Sequence, residues 1–108
     1  MKPTDDTRRL IVDVNNACFL DDLLDLEKPV RHSATETLKK LRQMTWNQVY
    51  TDSGLKWEKI RDANPPPGIA ALYSLRITQS RRAIAYRNGD FMRLLSIPID
   101  HDATYGKK

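Results

Sequence analysis

The sequence predicts an α+β domain, with two N-terminal helices packed on one face of a small, mainly antiparallel, twisted β-sheet. Three observations carry that prediction. Residues 72–105 read as three consecutive strands with two turns between them and a short polar tail, the second turn marked by Asn88-Gly89. Residues 17–41 carry apolar side chains at helical spacing. The length, 108 residues, suits one domain spanning residues 1–108 with a modest core, and its first seven residues, mostly polar, are expected to fray.

Taken in order, residues 9–14 (RLIVDV) form a first strand, which Asn15-Asn16 ends while offering an N-cap. Residues 17–27 follow as a helix with Phe19, Leu20, Leu23, Leu24 and Leu26 as its apolar stripe. Pro29 marks a break. Residues 33–36 (SATE) have the form of a capping box and open a second helix. Its Ala34, Leu38 and Leu41 point inward, and Lys39, Lys40 and Arg42 form a solvated face. Residues 45–48 (TWNQ) are a second capping box starting a short turn of helix, with Trp46, Val49 and Tyr50 against the core and Gly54 stopping it. Residues 55–60 (LKWEKI) are a short strand with Leu55 and Trp57 on one face and Lys56 and Glu58 on the other. Residues 64–68 (NPPPG) can continue neither strand nor helix and form a surface loop.

The final meander decides where the arginines go. A two-residue loop at Asn88-Gly89 pairs Arg87 with Asp90, Ala85 with Met92 and Ala83 with Leu94. Ala83, Ala85, Met92 and Leu94 then share one face, and Arg82, Ile84, Tyr86, Phe91, Arg93 and Leu95 the other. For the first turn, a two-residue loop at Gln79-Ser80 would set Arg76 among the small residues Ala83 and Ala85. A three-residue loop, residues 78–80, pairs Ile77 with Arg81 and Arg76 with Arg82. It sorts polar from apolar better and is preferred, because a slip of one residue inverts a whole strand. The result is an apolar face for the helices and an opposite face carrying Arg76, Arg82 and Arg93.

A net charge of +4 and a pI near 9.4 favour a polyanionic partner. The single cysteine, Cys18, forms no intramolecular disulfide, fits a reducing cytoplasm, and reads as a small core side chain. No apolar run approaches the ~20 residues needed to span a membrane, and no signal-peptide pattern is present. One Cys and two distant His give no metal-ligand cluster, and no cofactor is indicated.

The run 73–86 (YSLRITQSRRAIAY), followed by a hairpin, a strand and the stretch from His101 to Tyr105, resembles the RelE/ParE-type bacterial toxins of type II toxin–antitoxin systems. The two-helix start and the preceding Lys56-Trp57-Glu58 strand agree in order and length, so the resemblance spans about residues 8–106. It implies a small antiparallel sheet packed by two helices, with mRNA held on the opposite face. Many members cleave mRNA on the ribosome, whereas the ParE branch inhibits DNA gyrase. Some family nucleases present paired lysines on the strand before the long loop. Here that stretch reads KWEK, which looks closer to members using a Glu/Arg/His set. The 64–68 loop is also longer and richer in proline than the family pattern.

The chemistry can be argued from the residues. Metal-free RNA cleavage needs a base for the 2′-OH, cations for the phosphorane's added charge, and an acid for the 5′-oxygen. Glu58, Arg76, Arg82 and His101 supply all three. Glu58 reads as the general base, or as a surface carboxylate in a salt bridge. Arg82 lies mid-strand, where a long charged side chain needs an exposed or anionic partner, and a phosphate matches its planar fork. Arg76 reads the same way. Lys56 and Arg93 are candidate nucleic-acid contacts, and Arg81 is expected to face solvent. His101, flanked by Asp100 and Asp102, can donate a proton near neutral pH, and Tyr105 can stack on a base or take part in proton transfer.

The function expected by resemblance is therefore a toxin acting as a ribosome-dependent, metal-independent mRNA endoribonuclease in the cytoplasm. Its expected partners are mRNA in the ribosomal A site, the 30S subunit and a cognate antitoxin protein. A ParE-like gyrase inhibitor is the alternative, and a catalytically inert RNA- or partner-binding module a third.

Overall fold

The backbone begins by pinning its own start to the middle of the chain. Leu10 N–H bonds Met44 C=O at 2.9 Å, and Arg9 bridges Thr45, so the entry to the first strand is closed before the sheet begins. The computed structural model describes residues 6–99. They form β1 (Ile11–Asp13), α1 (Ala17–Leu24), α2 (Lys28–Leu41), α3 (Trp46–Thr51), β2 (Glu58–Lys59), β3 (Tyr73–Arg76), β4 (Arg82–Asn88) and β5 (Phe91–Ser96). The sheet order is β1-β5-β4-β3-β2, antiparallel except for the parallel β1–β5 pair. This is the expected α+β arrangement, with a short third helix and with β1 on the outer edge beside β5.

The helices start where local chemistry allows. Asn16 caps α1, its side chain accepting from the Cys18 and Phe19 N–H groups. The helix stops at Leu24, short of residue 27, and Arg31 donates to the freed carbonyls of Leu26 (2.7 Å) and Leu24 (3.5 Å). The expected capping box at Ser33 is not used. The second helix opens six residues earlier, its N-cap at Glu27 and Pro29 in its first turn, where the missing N–H costs nothing, and Ser33 is an interior residue whose carbonyl accepts from Thr37 Oγ1. The Thr45–Gln48 capping box is formed in both directions.

The core gathers Phe19, Leu26, Ala34, Leu41, Trp46 and Val49 from the helical half against Leu75, Ile77, Ala83, Ala85, Met92 and Leu94 from the sheet. Four expected core residues lie outside it. Tyr50 is 48% exposed because it is spent on Arg87, and Leu24, at 65% exposed, lies on the outer side of α1 with Leu20. Cys18 is exposed as well, at the second helical position rather than in the core.

The first hairpin has the three-residue loop and the preferred register, Arg76 opposite Arg82 and Leu75 opposite Ala83, with Ile77 N–H bonded to Arg81 C=O. At the second, the loop is Gly89-Asp90, not Asn88-Gly89: Asn88 pairs with Phe91 and Ala85 with Leu94. Only Gly89 has positive φ (+63°), which suits a type II′ turn rather than I′. From Ala85 to Asn88 each partner moves by two residues, so those side chains keep their faces; at a β-bulge the register then shifts by one more, and Ile84 pairs with Ser96. The strand expected over 55–60 is reduced to Glu58–Lys59. Asp52 Oδ1 accepts from Gly54 and Leu55 N–H, and Lys56 takes φ +50°, so the chain is not extended until it has passed Lys56. The alternation survives: Leu55 is buried and Trp57 half-buried, while Lys56 and Glu58 are exposed.

Candidate functional site

Cross-strand register builds one row of side chains on the face away from the helices. Glu58 on β2 is opposite Ser74 on β3, which is opposite Ile84 on β4. In the next row Arg76 and Arg82 face each other. Arg82 leans back toward the first row. Its Nε (3.1 Å) and Nη2 (2.9 Å) both donate to Ser74 Oγ, its Nη2 also donates to the Lys56 carbonyl (2.8 Å), and Glu58 Oε1 lies 3.6 Å from Nη2. The Arg82 side chain is 37% exposed and that of Glu58 65%, so their ion pair adds little to stability. What fixes the guanidinium is the neutral cradle of Ser74 and Lys56 C=O.

That cradle depends on the backbone at residues 55–56. Arg76 N–H takes the Leu55 carbonyl at 2.6 Å, and the left-handed Lys56 turns its own carbonyl to Arg82. A non-glycine residue in this region costs roughly 1 kcal/mol or more. The contacts of the neighbouring carbonyls with Arg76 and Arg82 offset it.

Of the candidate residues, Glu58, Arg76 and Arg82 are brought together, with Lys56 beside them through its backbone. The Arg76 side chain is half-buried, and among the described residues it has no hydrogen-bond or ion-pair partner. Arg93 shares the face but not the cluster. It lies opposite Tyr86, bonds Asp13 Oδ2 and stacks over Phe91 at 4.3 Å. The Asn15 N–H and then the Arg93 guanidinium hold the Asp13 carboxyl below its ordinary value. His101 and Tyr105 lie outside the described residues. Ser74 was missed by the sequence reading, although the alternation YSLR already put a small hydroxyl on the Arg76 face. Among the described residues no three His, Cys, Asp or Glu side chains converge on a metal-sized site.

The arrangement can therefore hold an anion against paired guanidiniums with a carboxylate alongside. No protein-family model matches the chain, and no curated protein matches it in sequence. Two solved structures share its fold. A chain of the archaeal RelE–RelB complex from Pyrococcus horikoshii superposes with a TM-score of 0.59 at 17% identity, covering 83% of this chain and 93% of that one. The YoeB dimer from Staphylococcus aureus gives 0.52 at 18% identity, covering 85% of this chain and 98% of its own. The resemblance read in the sequence holds at the level of fold: the described residues adopt the architecture of these RelE and YoeB structures.

Proposed function

We propose that this protein is the toxin of a type II toxin–antitoxin system, a metal-independent endoribonuclease that cleaves mRNA in the ribosomal A site and so inhibits translation in the cytoplasm. What carries this reading is the Arg76–Arg82 pair. Like charges directly opposite on neighbouring strands destabilise a sheet, and Arg76 has no acidic partner among the described residues. A phosphate bound between them supplies the missing counter-charge and accepts from planar donors.

In this reading Glu58 takes the proton from a ribose 2′-OH, whose oxygen attacks the adjacent phosphorus. Arg76 and Arg82 stabilise the extra negative charge of the phosphorane. The bond to the 5′-oxygen breaks as His101 donates a proton to it, leaving a 2′,3′-cyclic phosphate and a 5′-hydroxyl. Tyr105 stacks on a base near the cut, and Lys56 and Arg93 contact the flanking strand. The RelE–RelB neighbour supports an antitoxin partner for this chain too.

The test is induced expression of wild type and Arg82→Ala in growing cells, followed by primer extension on an abundant mRNA. New 5′ ends within the translated region, absent with Arg82→Ala, are expected. Growth arrest with intact mRNA would refute the nuclease and direct the next experiment to DNA gyrase.

A further inference from the structure

Strand β4 outruns its neighbour. The β3–β4 ladder begins at Tyr73 opposite Ala85, yet β4 continues through Tyr86, Arg87 and Asn88. The next rung would join Ala71 to Arg87, and no hydrogen bond joins them. Ladder alternation turns the Arg87 N–H and C=O toward this gap. Across it, the main-chain groups of Ala70 and Ala71 have no hydrogen-bond partner among the described residues. The gap is a notch of about 410 Å³.

Its other walls are mainly aromatic. Trp57 and Tyr73 are stacked at 4.8 Å with planes 10° apart, and Tyr50 and Tyr86 also line the notch, alongside Gly68, Ile69 and Gly89. The Asn88 carboxamide, also on the lining, has no partner among the described residues. The notch thus joins flat π-surfaces to unpaired donors and acceptors, the two features that recognise an unstacked base. Tyr86 lies on the same strand face as Arg82, four residues and about 13 Å along β4. Tyr73, opposite Ala85, and Trp57, stacked on it, line the notch from the helix side of the sheet. An RNA strand with a phosphate at Arg82 therefore reaches them past Tyr86, through the gap beside Ala71, within a trinucleotide.

We infer that this notch takes one nucleobase of the bound RNA and sets the sequence preference of cleavage. The inference rests on the nuclease reading but is read by a separate signal. Trp57 borders the notch, whereas the other tryptophan, Trp46, is fully buried, so a base stacking there quenches Trp57.

The full chain is titrated with the trinucleotides AAA, CCC and UUU while tryptophan emission is followed. Saturable quenching is expected with at least one of them and is expected to disappear in Trp57→Phe. The notch-filling variant Ala71→Phe is expected to weaken binding roughly tenfold or more, the scale of one lost base stack. Asn88→Ala, at an exposed site that leaves the core intact, is expected to change which trinucleotide binds best. In cells, both variants still cleave mRNA but at a redistributed set of positions. Unaltered trinucleotide affinity and an unchanged cleavage pattern in both variants would overturn the notch. So would a notch that ignores RNA and is filled by an extended peptide. Trinucleotide binding lost in Ala71→Phe, with no mRNA cleavage by wild type, would instead overturn the nuclease reading and leave the base site standing.

Discussion

Arg76 and Arg82 lie directly opposite each other on adjacent antiparallel strands, and only Arg82 has a cradle. The asymmetry assigns different work to the two. Arg82 is held in place by neutral groups before any ligand arrives, while the Arg76 side chain is bonded to none of the described residues and can donate to a ligand. Such a pair is a liability for the fold and an asset for binding a phosphate.

Removing one charge should therefore stabilise the protein while disabling it. Arg76→Thr, which keeps strand propensity, should raise unfolding free energy by roughly 0.2–1 kcal/mol through loss of the like-charge pair. On the nuclease reading, the same change should lower cleavage by about 10²–10³, the usual cost of one transition-state donor. Urea unfolding midpoints and primer extension on the same variant check both; a destabilised Arg76→Thr would mean that the pair is not repulsive in place.

Arg87 works for the fold on the other face. It lies 4.5 Å above the Trp46 ring, donates to Tyr50 Oη at 2.6 Å and pairs with Asp6 at 2.6 Å. Burial opposes its charge, but the Asp6 and Tyr50 hydrogen bonds outweigh that and raise its pKa. Arg87→Ala should cost roughly 1–3 kcal/mol. Thermal unfolding should then fall by several degrees. Arg87→Lys should rescue little, because an ammonium cannot stack on Trp46 and bond both partners at once.

Acid should loosen the molecule in a defined direction. Asp13 is held below 3.8 by the Asn15 N–H and by Arg93. At Asp52, partial burial pushes up, but the Lys40 and Leu55 hydrogen bonds win and the net shift is also downward. A carboxylate with a depressed folded-state pKa gives stability that is fully present above its unfolded value and lost as pH falls through the folded one. The unfolding midpoint should therefore decline below about pH 3.8. Asp13→Asn should lower stability at neutral pH and flatten that acid limb, which urea titrations at a series of pH values would show.

How far the sequence could be read follows the range of the interactions. Alternation placed Arg76, Arg82 and Arg93 on one face, because a strand's period of two is local. The same logic survived the misplaced second turn, since Gly89 rather than Asn88 took the positive φ and the shift was even. Ser33 misled because its capping pattern is real but Pro29 permits an earlier start. The Lys56 backbone was out of reach: its left-handed turn depends on Arg76 and Arg82, twenty or more residues away. The Arg93–Asp13 pair likewise required knowing that β1 runs parallel beside β5.

Ser74 offers the most discriminating test of the site. Its hydroxyl accepts two hydrogen bonds from Arg82 and holds the guanidinium back toward Glu58 and the Lys56 carbonyl. It touches no reacting atom in the proposed chemistry, so its role is to position Arg82. Ser74→Ala leaves Arg82 hydrogen-bonded to the Lys56 carbonyl alone, so its guanidinium can turn toward solvent, where water replaces the two lost hydrogen bonds. Stability should change by no more than ~1 kcal/mol. Cleavage should fall by roughly tenfold, since a misplaced donor stabilises the phosphorane less than a fixed one. Ser74→Thr, which keeps the hydroxyl, should restore most of the activity, and Ser74→Ala combined with Arg82→Ala should be no worse than Arg82→Ala alone. A double variant well below Arg82→Ala would show that Ser74 acts on the substrate itself.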